Sequence, residues 1–187
     1  MDHAPVYTSP AGDRAAVGAP APVLRVYDCT RPRGMREENV AKRIRIIIGG
    51  ITAEASLHED RAPITVAALW NELPFADRTV HVAWSGSAWR TEQNHELRPA
   101  NAPVENVTKH LTSGDIIFYP GHAAKLIKVG FCYGNAQWLA PFGIQVDVAL
   151  IGKIDRNLAE FERICQRILA DGPMTVWLSK LEERSTG

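Results

Sequence analysis

The chain is poor in the features that mark several protein classes. Its 187 residues hold only three cysteines, Cys29, Cys132 and Cys165, far apart and without a C-x-x-C pair. That set is too sparse for a disulfide framework or a zinc site, and it reads as three reduced thiols in a cytoplasmic protein. Charge of one sign is not in excess: 21 basic side chains balance 21 acidic ones. The densest basic patch, Arg31, Arg33, Arg36, Lys42, Arg43 and Arg45, is diluted by Glu37 and Glu38, so it reads as a solvated segment. No nucleic-acid partner and no anionic membrane surface is expected. The longest run of large aliphatics is Ile46-Ile47-Ile48, far too short to cross a bilayer, and no basic start followed by an apolar core suggests a secretory leader. Six histidines include no H-E-x-x-H pair, so neither a metal nor a cofactor is expected.

What is present is an ordinary soluble mix, 45% hydrophobic and 22% charged, enough for one domain with an extension. Residues 1–39 form the extension, rich in Pro, Ala and Gly; Pro5, Pro10, Pro20, Pro22 and Pro32 lie in it. Only residues 23–27 have strand character there. They are expected to pair with an exposed strand edge of the domain or of a sister subunit, which makes a homodimer one possible assembly. The domain proper is expected over 40–187.

Inside it, Ile44, Ile46 and Ile48 alternate up to Gly49-Gly50, and Ile51, Ala53, Ala55 and Leu57 alternate after it. Two glycines between two period-two runs predict a tight hairpin. Pro63 opens a helix whose stripe is Ala62, Val66, Leu69, Trp70 and Leu73, and Pro74 ends it. Strands are predicted over 79–84 (Val80, Val82 and Trp84 on one face), around Trp89, and over 115–119, 126–133, 146–154 and 175–178. Asn157 and Glu160 have the spacing of a capping box before a second helix, with Leu158, Phe161, Ile164, Cys165, Ile168 and Leu169 as its buried stripe. Seven or eight strands, two helices and no βαβ alternation predict a mainly β protein, an antiparallel barrel with helices at its ends. The polar stretch 92–114 is long for a loop inside a compact domain, and such loops are often functional.

The segment ITAEASLHEDRAPITVAALWNEL, residues 51–73, resembles the start of cyclophilins, where A-P-x-T-V leads into a helix that plugs the barrel; Ala62-Pro63-Ile64-Thr65-Val66 matches it. The remainder is similar to a family of uncharacterised bacterial proteins with a cyclophilin-like barrel. Val82-Ala83-Trp84-Ser85-Gly86, Glu105-Asn106, residues 113–121, Tyr133-Gly134 and the last helix and strand carry that likeness, over roughly 42–180. The resemblance implies a closed antiparallel barrel of about eight strands, and no established reaction.

The candidate chemistries narrow quickly. In cyclophilins the isomerase arginine follows a phenylalanine–histidine pair; here Val80 precedes His81 and Val82 follows it, so isomerase activity is not expected. His81 and Ser85 would lie about 13 Å apart along one strand, too far for a nucleophile–base pair, and Ser85 reads as a turn residue. Cys132, within an apolar run, reads as a buried structural thiol. Trp84, Trp89, Tyr119 and Tyr133 fall at strand ends and in loops, where aromatics line clefts, and Glu105, Asn106 and His122 supply the few polar groups that orient a ligand. These seven residues are the predicted ligand-binding set, with Glu105 a candidate base if burial raises its pKa. Small-molecule binding is therefore the expected role, with or without catalysis. The alternative is an interaction module for a peptide or sister subunit.

Overall fold

A computed structural model describes residues 42–95, 97, 103–121, 128–139 and 143–181. The extension with its predicted strand, Cys29 and His122 lie outside the described residues.

The hairpin forms as the pattern predicts. β1 (Arg43–Ile48) and β2 (Ile51–Leu57) pair in register, Ile46 opposite Ala53 and Ile44 opposite Ala55. Gly49 and Gly50 join them at φ 55° and 82°, left-handed angles that glycine adopts without strain. On the buried face Ile44 and Ile46 each stand opposite an alanine, so large and small side chains interleave there, and Ile48 stands opposite Ile51 beside the turn. α1 (Pro63–Glu72) follows with Ala62, Val66, Leu69 and Leu73 buried.

The remaining strands are β3 (Phe75–His81), β4 (Gly86–Thr91), β5 (Val107–Thr108), β6 (Asp115–Tyr119), β7 (Lys128–Ala136), β8 (Val148–Arg156) and β9 (Thr175–Lys180). Around the ring the order is β1-β9-β3-β4-β7-β6-β8-β2, and β2 returns to β1. All the pairings are antiparallel, so the eight strands close into a barrel, and β5 adds a ninth strand outside the ring on β8. α2 (Leu158–Cys165) follows β8 and α1 follows β2. Since β2 and β8 are antiparallel neighbours, the two helices sit at opposite ends of the barrel. A single helical turn, α3 (Ile168–Asp171), precedes β9.

The barrel interior is one apolar cluster in which Trp89 stacks on Phe131 with ring centroids 4.3 Å apart, and Phe161 and Cys165 of α2 close one end. A second cluster, with Cys132, Ile117, Tyr119, Trp138 and Val146, covers the outside of the β4-β7-β6 wall. The mainly β closed barrel with two principal helices is thus as the sequence predicts.

Three local expectations are corrected. β3 begins at Phe75 and ends at His81, and a 3-10 turn, Ala83–Ser85, carries Trp84 off the strand. Asp77 and Thr79, not an apolar face, are the buried residues of β3. They are tolerated inside because partners remote in sequence satisfy them: Thr79 Oγ1 accepts from the Met174 amide at 2.9 Å, and Asp77 accepts from Gln93 N. No capping box forms at α2. Asn157 sits at φ 57° and its amide donates to Thr52 O at 2.8 Å, while Glu160 pairs with Arg163. Leu169 is 64% exposed, because the helix breaks after Cys165 and the following turn faces it outward.

Candidate functional site

The structure disperses the predicted ligand-binding set. Trp89 is fully buried in the barrel, its indole N–H directed at Cys165 Sγ, 3.1 Å away. Tyr119 is buried in the outer cluster beside Trp138. Tyr133 is half-buried and its hydroxyl lies 2.5 Å from His81 Nε2. Burial lowers the His81 pKa and raises that of Tyr133, so both are neutral near pH 7; His81 Nδ1 is buried without a hydrogen-bond partner among the described residues.

Glu105 is a helix cap. Its carboxylate accepts from Ile64 N at 3.1 Å, Thr65 N at 2.8 Å and Thr65 Oγ1 at 2.9 Å. The first amides of a helix have no intrahelical acceptor, and Ala62 offers α1 no side-chain cap, so a carboxylate from the 92–114 segment takes that place. Asn106 has a local duty too: at φ 44°, its amide donates to Leu150 O at 2.6 Å.

Of the described members of the set, Trp84 lines an open cleft of about 640 Å³. Three separate segments build it. Gln137 N donates to Ser85 O at 2.9 Å, and Leu111 and Ala136 exchange both backbone hydrogen bonds at 3.0 Å, so residues 83–86, 135–139 and 110–112 lie side by side. Gly86 is required where they meet: it sits at φ 105°, and a Cβ there would stand 2.8 Å from Asn135 O. The Trp84 indole N–H donates to Leu139 O at 3.2 Å, and Ser85 Oγ accepts from Leu139 N at 3.0 Å. These bonds fix the indole in place while leaving it 58% exposed. The serine is an anchor of the turn, as its sequence context predicts.

Around Trp84 the polar lining comes from His110, Thr112, Asn135 and Gln137. No carboxylate, ammonium or guanidinium lines the cleft among the described residues, and no group of His, Cys, Asp and Glu there is arranged to hold a metal. The arrangement can offer an apolar face and neutral hydrogen-bonding groups. Sequence reasoning missed His110, Asn135 and Gln137, since nothing local distinguishes them from other surface polar residues. It also missed a buried imidazole, His95, held between Glu72 Oε1 at 2.6 Å and Asp77 Oδ2 at 2.9 Å and packed on Phe75. Cys132 and Cys165 are free and buried, and burial pushes each thiol up to about 12, which makes them inert.

Fold and cleft define a closed eight-stranded antiparallel barrel protein with an open depression on its wall. The chain belongs to the family described as "Protein of unknown function (DUF3830)", whose model matches residues 44–180, the barrel itself. Among solved structures it is similar to McbB in complex with tryptophan, with 21% identity and a TM-score of 0.51 over 77% of this chain and 46% of McbB. The chain thus spans less than half of McbB's length. It is also similar to the hypothetical protein AF2241 from Archaeoglobus fulgidus, with 20% identity and a TM-score of 0.50, over 79% of this chain and all of that one. Both likenesses concern the fold. No curated protein is similar to the chain. No helix among the described residues is long and apolar enough to cross a membrane.

Proposed function

We propose that the protein binds a small molecule in the cleft beside Trp84. The observation that carries this reading is an indole held rigidly by its own N–H and left more than half exposed over an open cleft. A large aromatic face kept in water forgoes burial energy that folding would otherwise gain, and a fixed one loses little entropy when a ligand covers it. The volume is in the range of small-molecule sites. McbB, which shares the fold, forms a complex with tryptophan, so the barrel is compatible with such a role. Two buried free thiols support a cytoplasmic setting. The kinship with cyclophilins belongs to the same proposal and rests on Ala62–Val66 opening α1; it concerns architecture rather than isomerase chemistry. A thermal-shift screen with metabolite mixtures tests the reading. A hit should weaken about tenfold or more in Trp84→Ala, the scale of losing an anchoring aromatic. Hits insensitive to Trp84 would reject the cleft.

A different observation favours a second reading, an interaction module. Ile47 and Trp177 are neighbours across β1 and β9, both pointing out of the barrel, 38% and 58% exposed. Such a patch suits a sister subunit. Trp177→Ser should then shift a dimer towards monomer in sedimentation, and a monomeric parent protein would remove this reading.

A further inference from the structure

Resting on the small-molecule reading, we propose that the Trp84 cleft is a site for a neutral saccharide. Three features of its lining define the ligand. The first is the indole. Its N–H is spent on Leu139 O, so what it presents to the cleft is a flat hydrocarbon surface with a negative π face. The second is the state of the polar side chains. The amides of Asn135 and Gln137 and the imidazole of His110 line the cleft, and among the described residues none of these groups has a hydrogen-bond partner within the protein. Each amide carries a donor and an acceptor at fixed spacing, and the imidazole adds two ring nitrogens for hydrogen bonding. Thr112 adds a hydroxyl, already engaged by Lys153 and Asp115. The third is what the lining lacks: no carboxylate, ammonium or guanidinium is found there among the described residues.

A ligand that matches gains nothing from an ionised group, because the described lining residues hold no carboxylate, ammonium or guanidinium to pair with one. It has many groups that both donate and accept, and one face of C–H bonds to lie on the indole. Sugar rings combine these properties. Vicinal hydroxyls match the donor–acceptor spacing of an amide, and the axial C–H bonds, slightly positive, meet the negative face of the aromatic ring. Competing classes fit less well. An amino acid brings an ammonium and a carboxylate, and a nucleotide brings phosphate, with nothing in the lining to pair them. A free base or flat heteroaromatic would bury two faces, and among the described residues the lining offers one indole and no phenyl ring. The cleft is open rather than enclosed, which suits one unit of a chain lying across the wall.

The test uses the full chain and named probes. Saturation-transfer NMR and calorimetry are run with maltose, cellobiose, lactose and methyl galactoside, beside tryptophan, adenosine and indole. The expected result is binding of at least one saccharide, with signal on the ring C–H protons, weakened about tenfold or more by Trp84→Ala and by Gln137→Ala. Both residues are exposed, so the variants should melt with the parent; Trp84→Phe, which keeps an aromatic face, should retain most of the binding. If adenosine, indole or tryptophan binds through Trp84 and no saccharide does, the saccharide proposal fails while the small-molecule reading stands. If no probe binds, or a saccharide binds without regard to Trp84, the proposal fails; a metabolite screen that also yields no Trp84-dependent hit removes the broader reading as well.

Discussion

Glu105 shows how one side chain changes meaning between sequence and structure. A carboxylate in a long polar segment near aromatics suits a general base, yet three donors at the start of α1 converge on it. A helix cap of this kind is worth about 1–2 kcal/mol, so Glu105→Ala should lower the melting temperature by a few degrees, and Glu105→Gln by less because it retains one acceptor oxygen. Ligand binding at the Trp84 cleft should be unchanged in both, since Glu105 does not line it. Calorimetry of the pair decides this: weakened ligand binding with an unaltered melting curve would restore Glu105 to the site. Trp84 and Trp89 make the same point. Four residues separate them, and one is exposed on a turn while the other is stacked in the barrel. Their residue type is silent on which.

Elements were legible where they are local. The β1–β2 hairpin follows from two runs of period two around a glycine pair, information contained within fifteen residues. α1 follows from its stripe and Pro63, and β6 matches its predicted bounds at both ends. β3 was not legible in phase, because its inward residues are polar and their partners come from segments after β4 and before β9. The last helix was legible in its first two turns only. The break after Cys165 changes the phase of the next turn, so two adjacent residues that the stripe treats alike differ, Ile168 buried and Leu169 exposed. Ile168→Ala should therefore cost about 2–4 kcal/mol in denaturant unfolding, and Leu169→Ala should stay within about 0.5 kcal/mol. Equal losses would mean that the helix continues unbroken.

At the scale of the molecule, the barrel closes through β1–β9 and β2–β8, pairings that join the start of the domain to its end. Closure leaves no free edge in the ring, and two helices cover its ends. Val82, an apolar residue with no guanidinium to offer a prolyl amide, packs into the outer cluster. A protease-coupled proline-peptide assay should thus run at the uncatalysed rate with this protein. Acceleration that a substitution in the barrel abolishes would overturn that expectation.

The sequence by itself determined the class of fold, the first hairpin, the buried face of α1 and the bounds of β6. Each of these depends on periodicity or composition, which act over a few residues. The cleft was decided only by tertiary structure. Its walls come from residues 83–86, 110–112 and 135–139, brought together by hydrogen bonds between backbones that are distant in the chain. Whether an aromatic ring meets core or solvent, and whether a carboxylate faces a ligand or a helix end, depends on that closure, and no local pattern carries the distance.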